Sequence, residues 1–252
     1  MSLAESLPIT EPLTEERADL AAAFRWSARL NMHEAVANHF SLAVNDDGTQ
    51  FLINPKNRHF ARIKASDLLL LDANDPATMD RPDAPDPTAW GLHGAVHRLC
   101  PHARCAVHLH PMYATVLACL KDPLLPPINQ TAASFFGAQA VDLGYDGLAF
   151  EEEAERTCAF LKDPKMQVLI MGNHGVMTIG RTVAEAFDRM YYFERACQNY
   201  VQALWTGKPL NILSDAVAAK TSAQIAEYGH VGEDHLREIR AILDAEGSDY
   251  AH

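Results

Sequence analysis

Five short apolar runs, HFSLAV, QFLIN, CAVHLH, QVLIM and VMTIG, alternate with stretches of helical pattern, and that alternation most restricts the fold. Runs of this length suit β-strands. HFSLAV and QFLIN flank the turn NDDGTQ and predict a hairpin with a loop. Thr14 to Leu30 predicts a helix, with Thr14 as its cap, Glu15 and Glu16 at its positive end and alanines in its body. A second helix opens at Thr88, with Leu92, Val96 and Leu99 at helical spacing, and a third runs from Pro111 to Leu120. Thr182 and Glu185 form a T-x-x-E capping box for a long helix that Gly207 and Pro209 end. A charged, peripheral helix is predicted near 232–245. The interleaving predicts an α/β protein with one mostly antiparallel or mixed sheet covered by helices.

At 252 residues and 48% hydrophobic content, the chain is long enough for one domain with a substantial core. Residues 1–13 read as a loose arm and 208–252 as a C-terminal extension of a single domain spanning 1–252. The formal net charge of −12, without a basic cluster, argues against nucleic acid as a partner. Cys100, Cys105, Cys119, Cys158 and Cys197 are odd in number and contain no C-x-x-C. That disfavours a disulfide framework or a cysteine zinc site and points to a reducing compartment. Residues 1–17 lack the apolar block of a signal peptide, and no run approaches the ~20 apolar residues of a membrane helix. The expectation is a cytoplasmic chain with no membrane partner.

CAVHLH carries two imidazoles where an apolar run needs none. On a strand, alternate side chains share a face, so His108 and His110 project together. Two hydrogen-bonded core histidines are the competing reading, but each then needs its own partner. A third imidazole follows the run QVLIM in the turn GNHG, where two glycines let the backbone bend sharply and expose His174. Three neutral imidazoles suit a divalent cation, zinc first, with iron, manganese or cobalt as the alternatives.

The sequence resembles the class II aldolase/adducin superfamily over roughly residues 18–206. The resemblance rests on NHFSLAV, FLINPKN…IKASDLL, WGLHGAVHRLCPHARCAVHLHPMYA, LLPPINQ and MGNHGVMTIGRTVAEAFDRMYYFE. It implies an α/β/α sandwich around a largely antiparallel sheet, and a homo-oligomer, a tetramer first, with the site at a subunit boundary. It also implies a metal held by His108, His110 and His174 that stabilises an enediolate. Substrate-contacting positions are expected at Asn38, Lys56 and Gln130.

The sequence departs from the sugar-phosphate aldolases of that family. Their catalytic glutamate precedes the histidine pair by nineteen residues, and Ala89 stands there. Lys56-Asn57 and Pro87-Thr88 replace their phosphate-binding pairs, and their tyrosine falls on Asn129 or Gln130. The pattern is closer to the adducin-like branch. Glu34 and Asp86 are residues of the type that could replace the glutamate. Other candidate proton carriers are His93, His97, Tyr113, Tyr228 and His230, each with a packing role as its alternative. His93 and His97, four apart, share a helix face. Tyr191, Tyr192 and Phe193 read as core or subunit contacts.

Two function classes follow. One is a metal-dependent lyase, performing aldol cleavage or decarboxylation on a small non-phosphorylated keto or hydroxy acid through a metal-stabilised enolate. The other is a non-catalytic, adducin-like binding or assembly domain that keeps the metal site.

Overall fold

The chain is described by a computed structural model covering residues 13–75, 77–147, 151–229 and 231–252. Most of the expected arm and His230 lie outside the described residues. In chain order the elements are α1 (Thr14–Arg29), β1 (His39–Ala43), β2 (Gln50–Ile53), β3 (Leu69–Asp72), α2 (Pro87–Leu99), β4 (Cys105–Leu109), α3 (Met112–Ala118) and α4 (Gln130–Ala133). There follow β5 (Gln139–Asp142), α5 (Glu151–Leu161), β6 (Val168–Met171), β7 (Gly175–Gly180), α6 (Val183–Trp205), α7 (Asp215–Tyr228) and α8 (Val231–Ala245).

The strands form one seven-stranded sheet in the order β3-β2-β1-β4-β7-β6-β5. Every pairing is antiparallel except β5 with β6. Strand alternation sorts the side chains to two faces. Phe40, Leu42, Leu52, Val107, Leu109, Ile170 and Val176 point to one face, where α1, α6 and α8 bury Phe24, Phe187, Phe193 and Leu236 against them. Ala106, Leu169, Met171, Met177 and Ile179 point to the other, under Leu92 and Val96 of α2 and Ala154, Cys158 and Leu161 of α5. The result is the expected three-layer α/β/α sandwich with a mixed, mostly antiparallel sheet.

The hairpin, the H-x-H strand and α6 fall where the sequence pattern put them. The termini of several helices differ. Thr14 is the first residue of α1 rather than its cap; Leu13 occupies that position with no side-chain bond. α2 starts at Pro87, which tolerates a first helical position because it needs no N–H partner there. Asp86 caps it by accepting from Thr88 N at 2.9 Å. Leu92 and Val96 are buried, but Leu99 is exposed. At α6, Thr182 accepts from Glu185 N, while Glu185 reaches Arg181 N instead of closing the box on Thr182.

α8 is not peripheral. Leu236, Ile239 and Leu243 join the main core, and the C-terminus is tied down by Ala65 N donating to Tyr250 O and Ser66 N to His252 O. Of the three consecutive aromatic residues 191–193 in α6, Phe193 is buried, Tyr191 half-buried and Tyr192 exposed. No helix among the described residues is long and apolar enough to cross a membrane.

Candidate metal centre

β1 and β4 are antiparallel neighbours, and their register sets His39 directly opposite His108. Both lie on the sheet face covered by α2. His110 follows the end of β4 on the same face, and His174 sits in the β6–β7 turn beside it. One ligand nitrogen from each of His108, His110 and His174 lies within 4.8 Å of the other two. Their ring centroids are 4.7–4.9 Å apart.

The turn holding His174 works differently from the sequence expectation. Its left-handed residue is Asn173, at φ 58°, and not either glycine. Asparagine tolerates that region well. The glycines are needed for space. A Cβ on Gly175 would sit 2.3 Å from His110 Cδ2 and 2.7 Å from Leu109 O, and one on Gly172 2.9 Å from Leu143 Cδ2. Asn173 N donates to Ala118 O and Gly172 N to Asp142 O, so the turn is anchored on both sides.

Hydrogen bonding sets the tautomers. His108 Nδ1 lies 3.1 Å from Val176 O, which can only accept, so Nδ1 carries the proton and Nε2 the lone pair. His110 Nδ1 lies 2.6 Å from the Glu34 carboxylate and donates to it, which leaves Nε2 as the nitrogen turned toward the other two rings. The Nε2 atoms of His108 and His110 face each other at 3.1 Å. Burial and the neighbouring imidazoles hold His108 well below the ordinary histidine range, and burial first, then His110, takes His174 to about 4. The buried His174 Nδ1 has no hydrogen-bond partner among the described residues. Imidazole nitrogens turned to a common point, with a carbonyl and a carboxylate orienting two of the rings from behind, fit a divalent cation of the zinc type.

The triad opens on a cavity of about 220 Å³, also lined by His39, Thr88, Leu92, Tyr145 and Gly147. That is below the ~300–1,000 Å³ of drug-sized ligand sites. Among the described lining residues there is no Lys, Arg, Asp or Glu.

The other sequence candidates are dispersed. His93 and His97 are fully buried behind the cavity wall, hydrogen-bonded in an array with Ser41 and His39. Tyr113 is half-buried, with its hydroxyl 3.4 Å from Gln202 Nε2. Asn38 is buried at φ 76° and accepts from Glu34 N, closing the loop that delivers Glu34. Lys56 and Gln130 are exposed, and neither they nor Asn38 line this cavity. Tyr228 is exposed at the end of α7. Asp86 is engaged as the α2 cap, and Glu34 as the partner of His110.

Ala89 does not line the cavity: it is buried against Phe51, Ile53 and Leu71, while its neighbour Thr88 lines the wall. A carboxylate at position 89 would therefore not stand beside the triad, as its sequence offset suggested. Sequence reasoning also missed His39. Its signal was the alternation in NHFSLAV, which puts His39 and Ser41 on one face.

The family model for the class II aldolase and adducin N-terminal domain matches residues 18–201. A Pseudomonas aeruginosa protein provisionally named an aldolase class 2 protein is 33% identical over 215 residues, covering 84% of this chain and 80% of its own. Decarboxylase NovR of Streptomyces niveus is 26% identical over 227 residues, covering 88% and 83%. The crystal structure of an aldolase II superfamily protein from Pseudomonas syringae matches with a TM-score of 0.85 at 29% identity, covering 97% of this chain and 98% of that one. This chain therefore belongs to the class II aldolase and adducin N-terminal domain family.

Proposed function

We propose that the protein is a metal-dependent carbon–carbon lyase acting on a small, non-phosphorylated keto or hydroxy acid, by aldol cleavage or decarboxylation. The observation that carries this reading is the convergence of three imidazoles, their ligand atoms within 4.8 Å of one another, at the edge of a small cavity. A divalent cation, zinc first, would supply Lewis-acid stabilisation of the negative charge that develops on substrate oxygens. His108, His110 and His174 would hold it. Val176 O and Glu34 keep two of the rings in the ligating tautomer. The lack of Lys and Arg in the described cavity wall supports a substrate without a phosphate dianion. The likeness to a protein named a decarboxylase supports including decarboxylation.

A second reading is a non-catalytic, adducin-like binding domain that keeps the metal. It is favoured by the lack of a carboxylate among the described lining residues, since proton transfer then needs another group. Metal analysis and a keto- and hydroxy-acid turnover panel separate the two. The lyase reading expects about one divalent ion per chain, lost in the His108→Ala/His110→Ala double variant, together with metal-dependent turnover. Metal binding with no turnover supports the second reading.

Assembly as a homo-tetramer forms part of the proposal. Its support is an apolar surface at the end of α6, where Trp205 is 73% exposed beside Tyr113, with Met112 exposed on α3. Sedimentation showing only a 27.8 kDa species at micromolar concentration would refute it.

A further inference from the structure

Behind the cavity wall runs a buried polar array in which each hydrogen bond has one allowed direction. It begins at Ala103 O, a carbonyl that can only accept. His97 Nδ1, 2.9 Å away, must donate to it, which leaves His97 Nε2 as an acceptor. Ser41 Oγ lies 2.6 Å from that nitrogen and gives it its single proton. Ser41 Oγ then accepts from His93 Nδ1, so His93 Nε2 carries a lone pair. His39 Nδ1, 2.7 Å away, donates to His93 Nε2. The remaining nitrogen, His39 Nε2, is left with a lone pair and no hydrogen-bond partner among the described residues. His39 lines the cavity, and its ring stacks on that of His108 with centroids 4.9 Å apart.

The direction cannot be reversed without placing an imidazole lone pair against Ala103 O, or without adding a proton. Burial opposes the proton. It takes His97 to about 4 and holds His93 well below the ordinary range, and His39 is itself buried. Ser41, His93 and His97 are sealed from solvent, so no water competes for these bonds.

We propose that His39 is a specificity-determining residue whose Nε2 is held as a hydrogen-bond acceptor in the cavity, selecting keto or hydroxy acids with a free hydroxyl over plain keto acids. The choice of acids rests on the function proposed above; the acceptor assignment does not. A ligand oxygen that cannot donate leaves the His39 lone pair desolvated and unpaired, and sites built to bond a hydroxyl reject analogues that lack one.

The test has two arms. In the first, the histidine tautomers of the metal-free full chain are read by long-range nitrogen–proton NMR, with His39→Gln used to assign the signal. We expect His39 protonated on Nδ1 and bare on Nε2, and in Ser41→Ala we expect a mixture, because the link that sets the direction is cut. A proton on His39 Nε2 in the wild type overturns the proposal regardless of what the triad binds. In the second arm, zinc-loaded protein is titrated calorimetrically with hydroxypyruvate and with pyruvate. We expect hydroxypyruvate to bind about tenfold or more tightly, with the preference abolished in His39→Leu. Equal affinity, or binding of neither, overturns the ligand selection. Failure to load zinc together with the expected tautomer sinks the lyase reading while the acceptor assignment stands.

Discussion

Glu34 Oε2 lies 2.6 Å from His110 Nδ1, so a residue from the α1–β1 loop fixes the tautomer of a ring that follows β4. Partners behind metal-ligating histidines typically matter by 10–100-fold in affinity. Glu34 is largely exposed, which weakens the electrostatic part of the bond. Glu34→Ala should therefore lower zinc affinity by about tenfold, and Glu34→Gln by less, because an amide oxygen still accepts. Competition with a chromogenic chelator reads both values. Unchanged affinity in Glu34→Ala would show that His110 is oriented by something else.

Gly175 gives a steric test of the same ring. A methyl group there meets His110 Cδ2 at 2.3 Å and the Leu109 carbonyl at 2.7 Å. The ring is the softer obstacle and must move. Gly175→Ala should cost about 1–3 kcal/mol in urea unfolding. It should also weaken metal binding more than a core substitution of equal cost remote from the triad, such as Ile239→Val. Wild-type metal affinity in Gly175→Ala would mean that the position of His110 is not critical.

The parts of the site that were legible in the sequence are those set by local rules. The two-residue period of CAVHLH put His108 and His110 on one face, and the turn after an apolar run exposed His174. The four-residue spacing of His93 and His97 placed both on one face of α2. What stayed hidden depends on register between distant strands. His39 opposes His108 only because β1 pairs with β4, and Ser41 links the two α2 histidines only because α2 crosses that face. Periodicity in α2 did not reveal that position 89 faces Phe51 and Leu71. β5 is four residues long and half-exposed over three of them, and α7 buries only Ala218, so neither carries a strong hydrophobic pattern.

The buried histidines predict acid sensitivity. His39, His93 and His97 are held neutral in the fold, below the unfolded value near 6.5. As pH falls below 6.5 the unfolded chain binds protons that the folded chain refuses, so stability is lost. For His97 the loss continues to about pH 4. Each such group contributes a slope approaching about 1.4 kcal/mol per pH unit. Metal-free protein should show a clear drop in urea midpoint between pH 7.5 and 5.5, and His97→Gln should make that drop shallower. Equal slopes in the two proteins would mean that His97 is protonated in the fold.

The sharpest prediction concerns Ala89. By sequence offset it occupies the place of the family's catalytic glutamate, and restoring the carboxylate looks like a route to aldolase activity. The fold says otherwise. Ala89 is 2% exposed, and its neighbours are Phe51, Ile53 and Leu71, with no cation among them. A glutamate there must either bury an unpaired carboxylate or rotate α2 to free it. The first costs several kcal/mol unless the group is protonated. The second disturbs His93 and His97, which α2 holds in the array behind His39. Ala89→Glu should therefore unfold at lower urea and show no gain in ketose-1-phosphate cleavage, with metal content matched to wild type. Thr88, one residue earlier, does line the cavity. Thr88→Glu is the better placement for a proton-transferring carboxylate, and should keep stability closer to wild type. A stable Ala89→Glu protein with gained aldolase activity would show that α2 sits in a different register from the one described.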